Sequence, residues 1–154
     1  MSDNHGDTLR QVFSEIAESL AFMFVEEPED ESSTVPEDDD LALAYMSFMG
    51  PFTGKLIMAV PTALCPEIAA NVLGLDPDDP LVQDKPYDAL KELLNVTCGN
   101  LLTAIAGDEP VFDLTPPEVK RMDRAAWGKL RAMPGTQVHL LEDQPVLLQM
   151  GIDR

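Results

Sequence analysis

Four residues in the middle of the chain share a regular spacing. Asp88, Glu92, Asn95 and Gly99 follow one another at intervals of four, three and four. The apolar pattern around them predicts a helix over residues 86–106. At about 100° per residue, the four positions form one stripe along that helix. The stripe brings a carboxylate that can pair with a cation and an amide that both donates and accepts hydrogen bonds to one surface.

The opposite side of the same helix is apolar and is predicted to face the core. Its stripe is predicted to comprise Leu90, Leu93, Leu94, Leu101, Ala104 and Ile105. Asn and Gly are poor choices in the middle of a helix, and Gly costs about 1 kcal/mol relative to Ala. A polar face needed only for solvation would carry Glu, Lys, Gln or Ala. The composition therefore favours a surface that presses against a partner, with Gly99 as a notch. Ordinary solvation is the alternative.

The chain offers no nucleophile of its own. No serine stands in a Gly-x-Ser-x-Gly setting. His5 lies near the start of the chain and His139 in a predicted strand, so neither is expected to form a catalytic triad. Cys98 lies nearer the apolar stripe than the polar one and is predicted to be buried. The acidic loop over residues 76–80 lacks the spacing of a calcium loop, so no metal site of the protein's own is expected.

The charge composition of the chain limits the classes of partner that it is expected to bind. The chain has 154 residues with 28 acidic and 10 basic side chains, a net charge of −18. Such a chain has no positive field for nucleic acid or for an anionic membrane surface, so neither partner is expected. The start of the chain does not resemble a signal peptide, and its longest apolar run is broken by Gly and Pro. Two cysteines without CxxC partners are predicted to be buried thiols. A cytoplasmic protein is expected.

The pattern along the chain predicts one α+β domain over residues 1–154. A flexible tail over residues 1–7 precedes an amphipathic helix from Thr8, and an acidic, mobile loop occupies residues 26–40. Residues 41–48 and 55–60 are predicted to form a hairpin, followed by a short helix ending at Gly74. Beyond the long helix, a second hairpin is predicted over residues 136–141 and 146–151. The order predicts a mostly antiparallel sheet packed against a few long helices.

The motif resembles a known family. Asp88-x3-Glu92-x2-Asn95, followed by Gly99-Asn100 and later by Pro116-Pro117, is similar to the signature of the CheC/CheX/FliY chemotaxis phosphatases. The order of the predicted elements is also that of the family. Some members carry two motifs and others one. A single motif in one short domain is most similar to CheX.

The first helix carries a second, incomplete copy of the spacing. Ser14-x3-Glu18-x2-Ala21 has Ala where the family requires Asn. We interpret it as inactive, whether it is a vestige or a coincidence.

The resemblance implies hydrolysis of the aspartyl phosphate on a phosphorylated CheY-type response regulator. Asn95 would then be the catalytic residue that positions water in the regulator's active site, and Glu92 would pair with the regulator's active-site lysine. Asp88, Gly99 and Pro117 are expected to contribute to partner binding, although Asp88 could equally act on the helix dipole. Mg²⁺ is expected on the regulator, with no cofactor on this chain. A homodimer formed through the sheet is also implied.

Two other functions remain open from the sequence. The same face could dock a response regulator without turnover, as in an adaptor. Alternatively, the acidic loop could be the interaction element of a regulatory subunit. Five of the ten basic residues also lie within twelve positions, namely Lys120, Arg121, Arg124, Lys129 and Arg131. They form either an ordinary solvated surface or a basic rim that faces an acidic partner.

Overall fold

The computed structural model describes residues 2–30, 36 and 38–153. The helices are α1 Ser2–Ala21, α2 Leu64–Leu73, α3 Pro80–Asp84, α4 Asp88–Ala106 and α5 Arg124–Ala132. The strands are β1 Val25–Glu26, β2 Leu41–Met49, β3 Thr53–Pro61, β4 Asp113–Leu114, β5 Glu118–Met122, β6 Gln137–Leu141 and β7 Gln144–Asp153. The predicted α+β class is confirmed.

The strands form one antiparallel sheet in the order β1-β6-β7-β3-β2-β4, with β5 also pairing with β2. β4 and β5 pair with opposite ends of β2, at residues 48–49 and 41–45 respectively. Long-range pairing of β3 with β7 joins the predicted first hairpin to the last strand. The two predicted hairpins, β2–β3 and β6–β7, therefore lie side by side in the middle of the sheet.

Each face of the sheet has its own apolar cluster. Alternate residues of β2 and β3, such as Met46 and Met58, pack with α1, α2 and α4 in the main core. The intervening positions, such as Leu41 and Ala59, face the other side, where Trp127 and Leu130 of α5 cover them. The helices that surround the motif therefore lie on one face, and α5 lies on the other.

The first helix begins earlier and ends earlier than predicted. The prediction of a tail over residues 1–7 is wrong for residues 2–7, which belong to α1. A tertiary contact contributes, because Gln137 Nε2 donates to the Gly6 carbonyl oxygen at 2.6 Å. At the other end, Phe22 has a left-handed φ of 54° and terminates the helix at Ala21.

The acidic segment over residues 26–40 lies partly outside the described residues, so its predicted mobility stays a prediction. Hydrogen bonds and ion pairs hold both of its described ends to the rest of the domain. Arg10 Nε lies 2.6 Å from Glu27 Oε1, and the Arg124 backbone N–H donates to Asp39 Oδ1 at 2.7 Å. Asp40 forms an ion pair with Arg121. These contacts attach both ends of the segment to α1 and to the β5–α5 region.

Candidate functional site

Helix α4 supports the candidate site. It starts after Tyr87 and ends at Gly107, whose N–H donates to the Thr103 carbonyl oxygen at 2.8 Å. The predicted start at Pro86 is two residues early. The buried residues are Ala89, Leu90, Leu93, Leu94, Thr97, Cys98, Leu101 and Leu102. Ala104, predicted to be in the core, is exposed, whereas Ile105 in the same turn packs against the main cluster.

The stripe opposite this face has the predicted exposure. Asp88, Glu92 and Asn95 are exposed, and Gly99 is half-buried. At a rise of about 1.5 Å per residue, Glu92 and Asn95 are roughly 4.5 Å apart along the helix axis. Within the part of the chain that the structure describes, no hydrogen bond or ion pair engages the side chain of Glu92 or Asn95. Both groups are therefore available to a partner.

Other polar side chains on α4 bond within the helix. The Asn100 amide nitrogen donates to the Val96 carbonyl oxygen at 2.8 Å. The buried Thr97 hydroxyl donates to the Leu93 carbonyl oxygen at 2.7 Å. These local bonds satisfy the hydrogen-bonding groups of both side chains within the helix. Asn95 differs from them in having no such bond among the described residues.

Gly99 extends the stripe by one turn. A Cβ built at this position would meet no atom within 4 Å. The glycine lines a small cavity of about 180 Å³ between α4 and residues 107–114. The predicted notch is therefore present at Gly99. Its other side is formed by residues 107–114, to which the sequence analysis gave no role. The sequence signal for this segment was the loop-forming run over residues 107–110.

The incomplete copy of the motif on α1 is not presented to solvent as a unit. Glu18 is exposed, but Ala21 is fully buried at the end of the helix. Its carbonyl oxygen accepts a bond from Asn71 Nδ2 at 2.8 Å. Position 21 thus contacts the core, where no side chain can reach a partner.

Pro117, predicted to contact the partner, lies half-buried between β4 and β5. The adjacent Thr115 fixes this segment to β2, since its N–H donates to the Ser47 carbonyl oxygen and its Oγ1 accepts from the Ser47 N–H, at 2.9 and 2.8 Å. Leu114, not Pro117, lines the cavity beside Gly99. A partner-binding role of Pro117 therefore stays a prediction.

Lys120, Arg121 and Lys129 of the basic segment line one pocket, but acidic residues line it with them, so the rim is not uniformly basic. Lys120 pairs opposite Leu43 on the α5 face, where its Nζ lies 5.8 Å from the centre of the Tyr45 ring. Arg121 pairs opposite Ala42 on the helix face and bonds with Asp40. Asp40 and the neighbouring Tyr87 raise the pKa of the Arg121 guanidinium. Thus the Arg121 side chain reaches Tyr87 at the start of α4, whereas that of Lys120 lies over the Tyr45 ring.

The buried titratable groups lie away from the exposed stripe. Burial raises the pKa of the Cys98 thiol to about 11 and, with the Asp40 charge, that of Cys65 to about 12. Burial, followed by the Arg10 charge, lowers the pKa of His139 to about 4. The predicted burial of both cysteines is confirmed. Among residues 2–30, 36 and 38–153, no three His, Cys, Asp or Glu side chains are grouped to hold a metal ion.

Fold and motif together define the class of protein. The family model described as chemotaxis phosphatase CheX matches residues 42–131, more than half of the chain. The chain belongs to the CheX family of chemotaxis phosphatases. No curated protein matches it in sequence.

Solved structures share the fold at low sequence identity. CheX from Desulfovibrio desulfuricans has a TM-score of 0.69 at 11% identity, covering 97% of this chain and 99% of that one. CheX from Vibrio vulnificus has a TM-score of 0.69 at 13% identity, covering 99% of both. The CheX of a CheX–CheY–BeF3–Mg²⁺ complex from Borrelia burgdorferi has a TM-score of 0.63 at 14% identity, covering 96% and 97%. The predicted CheC/CheX fold is confirmed.

Within the described chain, no helix combines the length and apolar character needed to cross a membrane.

Proposed function

We propose that this protein dephosphorylates a phosphorylated CheY-type response regulator, with Glu92 and Asn95 acting on the regulator's active site. The observation that carries the proposal is the exposure of these two side chains on one stripe of α4 without a partner among the described residues. Membership in a family described as chemotaxis phosphatases supports the reaction class. The Borrelia burgdorferi relative, whose structure is a complex with CheY, supports the class of partner.

Asn95 is the proposed catalytic residue. A receiver domain already holds the phosphoryl group, Mg²⁺ and a lysine that balances the developing charge, so the second protein need only place a water molecule in line with phosphorus. An amide suits this task because it accepts from and donates to the same water without titrating. Asn95 is an exposed amide on a rigid helix, which limits the geometry that the water can adopt.

Glu92 is proposed to set how deeply Asn95 enters the partner. A carboxylate about one turn earlier on the same stripe is placed to pair with the regulator's lysine. A charge-assisted hydrogen bond is stronger than a neutral one and fixes orientation as well as affinity. Asp88 at the first turn is proposed to bind at the edge of the interface. Gly99 at the other end is proposed to allow close approach.

We also propose that the protein acts as a homodimer, as its resemblance to CheX implies. Light scattering during size-exclusion chromatography tests this separately from activity. A mass of 16.9 kDa throughout the working concentration range would contradict the dimer.

The experiment for the catalytic proposal is the decay of acyl phosphate on a CheY-type receiver in the presence of Mg²⁺. The native protein is expected to accelerate the decay, and Asn95→Ala to abolish the acceleration while still binding the receiver. Asn100→Ala is the matched control, because Asn100 is an exposed amide on the same helix that bonds to Val96 instead. Equal acceleration by the native protein and Asn95→Ala would overturn the assignment of Asn95. No acceleration of any receiver from the same organism would overturn the enzymatic function.

A further inference from the structure

Helix α1 ends in a backbone conformation that its sequence does not favour. Phe22 has a φ of 54°, in the left-handed region, where glycine is the usual residue at the end of a helix. The Phe22 N–H donates to the Glu18 carbonyl oxygen at 3.1 Å. The Met23 N–H donates to the Ala17 carbonyl oxygen at the same distance, which completes a Schellman turn. Glycine would make the same bonds without a Cβ, so the turn gives no reason for a phenyl ring at this position.

The core gives no reason for this ring either. Phe22 is 69% exposed, and Phe24, two residues further on, is 68% exposed. Met23 is buried, and Val25 packs against the main cluster. Alternate residues of this segment therefore face inwards and outwards, and both phenylalanines are on the outward side.

The two phenylalanines and the last two turns of α1 form one shallow concavity. It measures about 550 Å³ and is lined by Glu15, Glu18, Ser19, Phe22 and Phe24, which we call the Phe22/Phe24 patch. Two large aromatic side chains exposed together and bordered by polar residues are typical of an interaction surface. The patch also lies outside residues 42–131, the part of the chain that matches the family model.

The charges around the patch indicate the chemistry of its partner. Glu15 and Glu18 lie one turn apart on α1, and Glu26 is exposed shortly after the two phenylalanines. Within the described chain, no ion pair involves any of these three carboxylates. Glu15 accepts a hydrogen bond from Gln11 Nε2 at 3.2 Å, which leaves its charge uncompensated. An apolar surface bordered by such carboxylates is complementary to an apolar segment that carries Lys or Arg.

A second copy of the chain fits this surface poorly. A twofold contact through the patch would bring the carboxylates of both copies together around the same rings. The five residues that line the patch include no Lys or Arg to balance them. The net charge of −18 on each copy adds to the repulsion. The charges therefore favour a different protein as the occupant.

The spacing of the two rings suits a helical partner. The Cα atoms of Phe22 and Phe24 are at most roughly 7 Å apart, because only two residues separate them along the chain. Positions i and i+4 of a helix are about 6 Å apart along its axis. Apolar side chains one turn apart on an amphipathic helix can therefore pack on both rings.

We propose that the Phe22/Phe24 patch docks a basic amphipathic helix of a partner protein. The apolar face of that helix packs on the two phenylalanines, and its Lys or Arg side chains pair with Glu15 and Glu18. The left-handed backbone at Phe22 is retained because it turns the ring outwards to this partner. The patch does not include Glu92 or Asn95, so the inference is independent of the proposed phosphatase activity.

The test is a calorimetric titration of the full chain with a synthetic amphipathic helix of leucine and lysine. A counterpart of leucine and glutamate is expected not to bind. Phe22→Ser combined with Phe24→Ser is expected to weaken binding of the lysine peptide by about tenfold or more. Val111→Ser is the matched control, because Val111 is an apolar residue that is 80% exposed outside the patch, and it is expected to change the affinity by less than about twofold. Equal affinity of the native protein and the double variant would overturn the proposal.

Glu18→Gln tests the charge component of the same contact. It is expected to weaken binding of the lysine peptide a few-fold and to reduce the dependence of the affinity on salt. Glu67→Gln, an exposed acid on α2, is the control for net charge and is expected to leave the affinity unchanged. Equal losses in the two variants would overturn the specific pairing, because they would show attraction to the acidic chain as a whole.

Phe22→Gly separates a docking ring from a structural one. Glycine relieves the left-handed backbone, so the urea midpoint is expected to be unchanged or higher while the peptide affinity falls. A lower midpoint would overturn the proposal, because the ring would then stabilise the fold. Light scattering tests the remaining occupant. The proposed homodimer is expected to persist in the double serine variant, and its dissociation would overturn the proposal by assigning the patch to a second copy of the chain.

Discussion

Asn95 on α4 and Ala21 on α1 end the same spacing of residues, but the structure places them in opposite environments. Asn95 is exposed, whereas Ala21 has no exposed surface. The difference arises because α1 packs against α4 and turns into the sheet directly after Ala21, where Asn71 caps its carbonyl oxygen. An identical sequence spacing thus yields a presented side chain on one helix and a core position on the other.

Restoring asparagine at position 21 should therefore not create a second site. Ala21→Asn is expected to destabilise the fold by about 2–4 kcal/mol, because it crowds a filled core and buries an amide without a partner. Urea denaturation measures this loss, and Ser19→Asn, an exposed position on the same helix, is the control with a change within about 0.5 kcal/mol. Phosphatase activity of Ala21→Asn in an Asn95→Ala background would contradict our interpretation of the α1 spacing.

Removing the charge of Glu92 tests its proposed pairing with the regulator. Glu92→Gln is expected to weaken receiver binding about tenfold, since a charge-assisted hydrogen bond contributes more than a neutral one. The affinity of the variant should also depend less on salt, because one screened attraction is lost. Glu67→Gln, an exposed acid on α2, is the control for net charge. Equal losses in the two variants, measured by titration at two salt concentrations, would show a general charge effect instead of a specific pair.

The exposed face of α4 could be predicted from sequence because its two sides differ sharply in composition. A 3.6-residue period with leucines on one side and Asp88, Glu92 and Asn95 on the other leaves only one way to pack the helix. The first hairpin was equally accessible, since alternating strands flank a turn rich in Gly and Pro. These features depend on local pattern alone.

Other parts depend on contacts between distant residues and were missed. β5 contains only two apolar residues and forms because it pairs with the edge of β2. The short helix α5 is amphipathic, and its buried Trp127 and Leu130 cover the other face of the sheet. The second hairpin was predicted, but its turn is shorter than predicted: it lies at Glu142 and Asp143, with φ values of 51° and 64°, and β7 begins at Gln144. The position of residues 107–114 beside Gly99 likewise results from the packing of Phe112 against Phe52, which no local spacing reveals.

Two glycines on neighbouring strands should respond differently to alanine. A Cβ on Gly54 would collide with the Gly151 carbonyl oxygen and with the Phe48 ring, whereas a Cβ on Gly151 would meet nothing within 4 Å. Gly54→Ala is expected to lower the free energy of unfolding by about 2–3 kcal/mol through overpacking. Gly151→Ala should change it by no more than about 0.5 kcal/mol. Similar urea midpoints for the two variants would contradict the close approach of β3 and β7 at this point.

The two cysteines should be inert in the folded protein. Burial raises the pKa of Cys98 to about 11 and that of Cys65 to about 12, so almost no thiolate is present at pH 8. A thiol reagent such as Ellman's reagent is expected to label neither residue within minutes. Both should react once urea unfolds the chain. Rapid labelling of one thiol in the native protein would contradict its burial, and substitution of each cysteine by serine identifies which one reacted.

His139 should make the fold sensitive to acid. Its Nε2 lies 2.9 Å from Gln137 Oε1, and among the described residues its Nδ1 has no hydrogen-bond partner. Burial and the Arg10 charge outweigh the Glu27 charge and lower its pKa from 6.5 to about 4. Between these values the unfolded chain binds the proton and the folded chain does not. The contribution of this group to the free energy of unfolding is therefore fully present above about pH 6.5. It is lost as the pH falls toward 4, by about 3 kcal/mol in all.

Urea denaturation from pH 7 to 4.5 should show a steeper loss of stability for the native protein than for His139→Leu, since carboxylate titration is common to both. Parallel curves, or an imidazole NMR titration centred near pH 6.5, would contradict the burial of a neutral ring at this position.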